Sequence, residues 1–321
     1  MASEARREDT SEFLSEFGNM RTCAPAMRDV FAVLRRLAPT DLPLTLIGET
    51  GCGKTRLARA VHAASGRAQA RLSVLDFGAS GSSTEARLLG IERSMTVGAI
   101  SDQPGAFEEA QGGSLLVDDA GELTPELQSL LVRVLESRRV RRVGSARDIA
   151  VDVRVIAASS RELSSEATAG RLRQDLYFRL TASVVRIPPL RERREDIPLL
   201  VAELLADLGN AHVEVTADAL ALLQAREWFG NVRELKNVLA CTIALLDGPR
   251  LELRDLERLG LRTEASPLDQ MALAGISLEQ LERTAIKQTL ARVRGNKVRA
   301  AKLLGIAVST LYEKLKRFSI D

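Results

Sequence analysis

Apolar residues in the first 200 positions alternate between short continuous runs and helical spacing. Four runs have the length of a strand, and segments with apolar residues at three- and four-residue steps separate them. The runs are "LPLTLIG" (42–48), "RLSVLDF" (71–77), "SLLVDD" (114–119) and "VDVRVIAAS" (151–159). Strands that alternate with helices predict an α/β fold in which helices flank a parallel sheet.

The pattern changes towards the C-terminus, where the strand runs stop. Helical spacing without strands predicts an all-helical subdomain over 195–260, behind an α/β subdomain over 24–194. Residues 261–276 contain Pro and Gly without a sustained period and are interpreted as a linker. Residues 277–321 return to helical spacing, whereas the polar residues 1–23 are expected to form a flexible N-terminal segment.

Composition narrows the class of protein only in part. No apolar run of the 321 residues reaches membrane-spanning length, and the polar N-terminus does not resemble a signal peptide, so we expect a cytoplasmic protein without a membrane partner. Three scattered cysteines and two histidines indicate neither a disulfide framework nor a histidine-rich metal site. Residues 277–321 hold ten Lys or Arg against four acids, while the whole chain has a net charge of +2. The basic C-terminal segment indicates nucleic acid binding.

A glycine-rich segment interrupts the apolar pattern after the first predicted strand. Residues 48–55 read "GETGCGKT" and match G-x-x-x-x-G-K-[ST] between a strand and a helix, which predicts a phosphate-binding loop. Glycines allow backbone N–H groups to converge on phosphate oxygens, Lys54 can reach the β- and γ-phosphates of ATP, and the Thr55 hydroxyl can bind Mg²⁺. The candidate nucleotide-binding residues of this loop are Gly48, Glu49, Thr50, Gly51, Cys52, Gly53, Lys54 and Thr55.

Polar residues end two further predicted strands. Asp118 and Asp119 follow "SLLV", and we predict that Asp118 binds Mg²⁺ while Asp119 orients or deprotonates the attacking water. Ser160 ends the fourth strand, where a hydroxyl could contact the γ-phosphate; serine is also common at strand ends without any such role.

The last 26 residues before Asp321 predict two helices joined by a tight turn. In "GNKVRAAKLLGIAVSTLYEKLKRFSI" (295–320) the apolar positions define one inward face on each helix. A helix-turn-helix of this kind places its second helix in the major groove of DNA, while basic residues contact phosphates. The candidate DNA-binding residues are Lys297, Arg299, Ser309, Thr310, Tyr312, Lys314 and Lys316.

These segments together resemble the AAA+ core of bacterial enhancer-binding proteins, the sigma-54-dependent transcription activators. The resemblance rests on "GETGCGKT", "GAFEEAQGGSLLVDDAGEL" (105–123), "RLRQDLYFRL" (171–180), "IPPLRERREDIPLL" (187–200) and "WFGNVRELKNV" (228–238), and the tail resembles the Fis-type DNA-binding domain. It implies an AAA+ P-loop core, a helical lid and a C-terminal all-α helix-turn-helix domain. It also implies self-association, as dimers and as a hexameric ring, an upstream DNA site, and RNA polymerase carrying sigma-54 as partner.

The resemblance also assigns roles to three arginines. Arg173 and Arg179 match the positions of the family's arginine fingers, which reach the nucleotide of a neighbouring subunit. Arg233, in "GNVREL", matches the lid arginine that contacts the phosphates.

The sequence departs from the family pattern at the sigma-contacting loop and at three single positions. The sigma-contacting loop, GAFTGA in the family, aligns with Ser94, Met95, Thr96, Val97, Gly98 and Ala99. Asp119 replaces the family's glutamate, and an acid shorter by one methylene predicts slow ATP hydrolysis. Ser160 stands where the family has asparagine, and Asp76 also occupies a position that is asparagine in the family.

Three functions therefore remain open from the sequence. The first is an activator that remodels sigma-54 polymerase by ATP hydrolysis. The second is a regulator that binds DNA and ATP but does not act through sigma-54, because the loop lacks the family's aromatic residue. The third is an ATPase for another remodelling task, with the tail as an assembly element.

Overall fold

The computed structural model describes residues 14–75, 84–92 and 102–261, and near the C-terminus residues 282–283, 285–287, 289–290, 293, 296–304, 306 and 308–318. The chain divides into two compact units, Met1–Leu261 and Arg262–Asp321.

The strands are short, and most helices span two to four turns. In chain order the strands are β1 (Ser15–Phe17), β2 (Met20–Thr22), β3 (Leu44–Ile47), β4 (Leu72–Leu75), β5 (Gly90–Ile91), β6 (Gln103–Pro104), β7 (Ser114–Val117), β8 (Arg139–Arg141), β9 (Asp148–Ala150), β10 (Arg154–Ser159), β11 (Val184–Arg186), β12 (Glu214–Val215) and β13 (Arg250–Leu251). The helices are α1 (Pro25–Leu37), α2 (Lys54–Ala63), α3 (Thr84–Leu89), α4 (Ala106–Glu109), α5 (Pro125–Ser137), α6 (Leu163–Thr168), α7 (Gln174–Leu180), α8 (Ile197–Asp207), α9 (Ala217–Ala225), α10 (Asn231–Ala244), α11 (Leu253–Arg258), α12 (Lys297–Leu304) and α13 (Val308–Phe318).

The first unit is built on a five-stranded parallel sheet in the order β11, β3, β10, β7, β4. Every residue of β3, β7 and β10 is buried, which explains their continuous apolar runs. Successive residues of β7 point to opposite faces, so that Leu115 and Val117 join one apolar cluster and Leu116 the other. The four predicted strands are confirmed, and β11 is an additional strand at the sheet edge.

The lid consists of α8 to α11 around a third apolar cluster. Trp228, the single tryptophan of the chain, is fully buried there, and its indole Nε1 donates a hydrogen bond to the carbonyl oxygen of Leu223 (2.7 Å). The predicted subdomain is thus helical in the main, but it is not all-helical, because the two-residue strands β12 and β13 pair in parallel within it and are too short to leave a pattern in the sequence. It extends to Leu261, which is buried in the same cluster.

Residues 14–23 form defined structure, contrary to the flexible segment expected over 1–23. β1 and β2 form a hairpin because Phe17 is buried and its ring packs 5.9 Å from that of Phe31. The Thr22 hydroxyl and the backbone N–H of Cys23 donate hydrogen bonds to the buried carboxylate of Asp196 at distances of 2.7–2.8 Å. Three-residue strands leave no periodicity, which is why the pattern did not predict them.

The second unit contains α12 and α13, and the described residues between 282 and 290 are also helical. Its apolar cluster comprises Ile286, Leu290, Ala300, Ala301, Leu311, Leu315 and Phe318. Val308, expected to face inward, is instead exposed because it is the first residue of α13.

Candidate functional site

The turn between β3 and α2 has the backbone of a phosphate-binding loop. Gly51 and Gly53 adopt left-handed φ angles of +80° and +106°. A Cβ atom at Gly51 would also overlap the carbonyl oxygen of Gly230, at the start of the lid helix α10. Glycine is required at Gly51 for both reasons, because a side chain would be strained and would clash.

The first residues of α2 meet the acid that ends β7. The Thr55 hydroxyl donates a hydrogen bond to Oδ2 of Asp118 (3.0 Å). Lys54 is only 7% exposed, and its Nζ donates to the carbonyl oxygens of Gly48 (2.8 Å) and Glu49 (3.1 Å). A cation, a hydroxyl and a carboxylate thus converge at the carboxyl edge of the sheet, where ligands bind in open α/β folds.

These groups line a cavity of about 530 Å³ between the sheet edge and the lid. Eight predicted residues contribute to its wall: Thr50, Gly51, Gly53, Lys54, Thr55, Asp118, Asp119 and Arg233. Six others were not predicted from the sequence: Asn19, Arg56, Leu204, Asp207, Val232 and Lys236. Of these, Lys236 could have been predicted from the sequence. It lies three residues after Arg233 on the same helix, so the two residues share a face, and Arg233 was already assigned.

Asp119 has a left-handed backbone, with φ 52° and ψ 46°. Its N–H donates to Oδ1 of Asp118 (3.2 Å), and the residue precedes a 3₁₀ turn, Ala120–Glu122. Aspartate is tolerated in this conformation better than longer side chains. The aspartate that replaces the family's glutamate therefore suits the local backbone.

Four of the predicted nucleotide-binding residues do not line the cavity. Gly48 N–H donates to the carbonyl oxygen of Ser159 (3.1 Å) at the end of β10. Cys52 is buried, and burial raises the pKa of its thiol, so that it is an unreactive packing group. Ser160 is half-buried beyond the strand end. Glu49 accepts hydrogen bonds from Arg191 with its carboxylate and does not line the cavity.

Arg173 and Arg179 do not lie at the cavity either. Arg173 donates to the carboxylate of Asp175 (2.7 and 3.0 Å) at the start of α7. Arg179, at the end of the same helix, donates to Glu136 (2.5 Å). The cavity of a single chain is therefore formed without these two arginines.

The donor set at Thr55 and Asp118 fits a magnesium ion. Mg²⁺ prefers oxygen ligands and takes several from water and substrate phosphates, so that one carboxylate and one hydroxyl suffice. Within the part of the chain that the structure describes, no group of three or more His, Cys, Asp or Glu is placed to hold a metal ion. No helix in that part is long and apolar enough to cross a membrane.

Two sets of predicted residues fall outside the described part of the chain. They are the predicted sigma-contacting loop, Ser94 to Ala99, and Asp76.

The predicted DNA-binding residues occupy α12 and α13. Arg299 is exposed, and the Nζ of Lys297 lies 5.4 Å from the ring centroid of Tyr312, which is 52% exposed. Lys314 forms an ion pair with Glu282, which neutralises part of its charge. Thr310 is half-buried on α13, and Ser309 and Lys316 belong to the same helix. The structure therefore confirms two consecutive helices with basic residues on their exposed surface.

Three protein families match consecutive parts of the chain. The Sigma-54 interaction domain matches residues 20–186, the AAA+ ATPase lid domain matches 191–271, and the bacterial regulatory protein family of Fis type matches 277–318.

Individual proteins are similar over nearly the whole chain. Transcriptional regulatory protein ZraR of Escherichia coli K12 is 39% identical over 308 residues, which is 94% of this chain and 69% of ZraR. Response regulator protein PilR of Pseudomonas aeruginosa is 36% identical over 308 residues, 93% of this chain and 69% of PilR. The crystal structure of NtrX from Brucella abortus in complex with ATP has a TM-score of 0.69 and 31% identity, covering 99% of this chain and 73% of that one.

Proposed function

This chain belongs to the sigma-54-dependent transcription regulators, and we propose that it binds ATP and Mg²⁺ in the cavity under its lid while its C-terminal helices bind DNA. The proposal further assigns to it the hydrolysis of ATP and the use of that cycle to act on RNA polymerase.

One observation carries the nucleotide assignment: Lys54, Thr55 and Asp118 meet at the end of a strand and the start of a helix. Backbone N–H groups and the N-terminus of α2 favour phosphate there, and Lys54 adds a buried positive charge. A bound phosphate would take over Lys54 Nζ from the carbonyl oxygens of Gly48 and Glu49. Similarity to NtrX, whose structure was determined with ATP, supports the same ligand.

The hydrolytic step assigns a role to each acid. Mg²⁺ held by Thr55 and Asp118 would neutralise charge on the phosphates. Asp119 accepts a proton from the attacking water or orients it, and a guanidinium offsets the charge that develops on the transferred phosphoryl group. Arg173 and Arg179 lie outside the cavity of their own chain, so we assign that guanidinium to a neighbouring copy in an assembled ring.

The C-terminal helices supply the DNA-binding function. Exposed cations such as Arg299 would contact phosphates, and α13 would enter the major groove with Thr310 and Tyr312 near base edges.

A second candidate function differs only in the partner. Thr96 and Val97 stand where the family's sigma-contacting loop has an aromatic residue and a threonine, and the lost aromatic contact area favours a regulator that does not act through sigma-54.

In vitro transcription distinguishes the two candidates. Purified chain, template DNA and polymerase carrying either sigma-54 or another sigma factor are combined with ATP or with a non-hydrolysable analogue. ATP-dependent transcripts from the sigma-54 polymerase alone support the first function, with Lys54→Ala as the inactive control. Effects that do not require ATP hydrolysis or sigma-54 support the second.

A further inference from the structure

An ion pair outside the cavity attaches the phosphate-binding loop to residues 190–193, which connect the sheet to the lid and are called the hinge below. The guanidinium of Arg191 donates to both carboxylate oxygens of Glu49, from Nη1 to Oε2 (2.7 Å) and from Nη2 to Oε1 (2.6 Å). Arg191 lies in the 3₁₀ turn Leu190–Glu192, which precedes the first lid helix. A two-bond fork of this kind fixes orientation as well as distance.

Asn231, the first residue of α10, adds a buried bridge to the same carboxylate. It is fully buried and left-handed, with φ 54°. Its Nδ2 donates to Oε2 of Glu49 (3.1 Å) and to the carbonyl oxygen of Thr50 (3.1 Å), while its Oδ1 accepts from the N–H of Leu190 (2.7 Å). One side chain on the first turn of α10 thus bonds to the loop and to the turn Leu190–Glu192, and a buried amide that is hydrogen-bonded through both its Nδ2 and its Oδ1 is held in one orientation by its surroundings.

Backbone contacts continue along the loop. The N–H of Val232 donates to the carbonyl oxygen of Gly51 (3.1 Å). Arg193, which is 3% exposed, donates from Nη2 to the carbonyl oxygen of Cys52 (2.7 Å). Four successive loop residues, 49 to 52, therefore bond to the hinge or to the first turn of α10. Arg233 belongs to that same first turn.

We propose that Glu49 and Arg191 are positioning residues that set the first turn of α10, and with it Arg233, against the phosphates of bound nucleotide. The proposal rests on the proposed ATP binding and goes beyond it, because it assigns Glu49 to the lid and not to the ligand. Glu49 acts through Asn231 and the turn that carries Arg233, and it touches no phosphate.

The charge of Glu49 agrees with this role. The hydrogen bonds from Arg191 lower the pKa of the Glu49 carboxyl, with a further contribution from Asn231, so that it is ionised at neutral pH. An ionised carboxylate beside a triphosphate would repel it. Its place outside the cavity wall, neutralised by Arg191, avoids that repulsion.

Because the Glu49–Arg191 ion pair is partly exposed, its effect on the position of the lid can be measured separately from its effect on the stability of the fold. The Arg191 and Glu49 side chains are 27% and 40% exposed, and pairs at that exposure contribute little to the free energy of unfolding. Glu49→Gln should therefore fold, which can be checked through the fluorescence of Trp228, buried three residues before Asn231.

The test is a double-mutant cycle on the full chain. Calorimetry measures the affinity for ATP in the presence of Mg²⁺. Glu49→Gln and Arg191→Gln are each expected to weaken ATP binding about tenfold, within the range of coupling between sites. In an Arg233→Ala background, Glu49→Gln is expected to cause no further loss, because its effect passes through Arg233. Arg191→Lys, which keeps the charge but loses the fork, should fall between wild type and Arg191→Gln.

Glu162→Gln is the matched control. Glu162 accepts two hydrogen bonds from Arg186 at 3.0 Å, also on the first unit, and lines no part of the cavity, so ATP affinity should not change. The proposal is overturned if Glu49→Gln binds ATP like wild type, or if it loses the same factor with and without Arg233. If the wild type binds no ATP, or Lys54→Ala binds it equally well, the proposed function itself fails.

Discussion

Two regions of this chain are suited to phosphate, and they differ in how their cations are held. In the cavity under the lid, Lys54 is almost fully buried and fixed by two hydrogen bonds, and the adjoining backbone permits only glycine at Gly51. In the C-terminal unit, cations such as Arg299 and Lys302 are exposed on short helices.

This difference determines how each region can recognise its ligand. Buried, immobile donors distinguish ligands by shape, and the loss of one donor is not replaced by water. Exposed cations attract the phosphates of DNA in a graded way that depends on salt. Mutations should therefore have large, specific effects at the cavity and small, additive effects at the tail.

The largest expected effect concerns a half-buried cation, Arg179, that is assigned to the cavity of another copy. Arg179→Ala should reduce ATP hydrolysis about 10³-fold, because an arginine finger in trans contributes at least that factor, while ATP affinity stays within about threefold. Phosphate release and calorimetry measure the two quantities.

Glu136→Gln serves as the control for that experiment, since it removes the negative charge beside Arg179 and keeps the guanidinium. Wild-type hydrolysis by Arg179→Ala would contradict the trans assignment and make this arginine an ordinary surface residue.

Lys54→Ala should weaken ATP binding by about 100-fold or more, because a buried charge-assisted contact to phosphate is lost. DNA affinity of the same variant should match wild type. Lys302→Ala, which removes an exposed cation of the tail, should leave ATP affinity unchanged. Equal ATP affinities for Lys54→Ala and Lys302→Ala would contradict the assignment of ATP binding to the cavity and not to the tail.

Asp119→Glu tests the shortened acid. If the water is misplaced by about 1 Å, restoring the longer side chain should accelerate hydrolysis by up to about 100-fold with unchanged ATP affinity. The left-handed backbone at Asp119 disfavours glutamate, so the melting temperature should decrease slightly. Phosphate release and thermal unfolding are the measurements, and slower hydrolysis in Asp119→Glu would show that the aspartate is the adapted acid.

The sequence predicted the elements that follow from spacing and from backbone requirements. Buried parallel strands appear as apolar runs, and a glycine loop before Lys54 has one geometry, so β3, β4, β7, β10 and the loop were all predicted. The position of Asp118 followed because carboxyl ends of parallel strands share an edge.

What could not be predicted depends on tertiary contacts. Asn19 reaches the cavity only because a hairpin of two three-residue strands packs through Phe17. Glu49 was assigned to the nucleotide because it lies in the loop motif, and the direction of its carboxylate is decided by Arg191, 142 positions away. Spacing along the chain contains no information about such a partner.

The smallest expected effect lies in the tail, where two basic residues offer a direct comparison. Arg299→Ala should weaken DNA binding about two- to fourfold on any sequence and reduce the salt slope by about 0.9, as for one lost phosphate contact. Lys314 is already paired with Glu282, so Lys314→Ala should change both quantities less. Anisotropy titrations of labelled duplex at several salt concentrations give both values. If Lys314→Ala weakened binding more than Arg299→Ala, the ion pair would have to open on DNA, and the exposed cations of the tail would no longer act as independent charges.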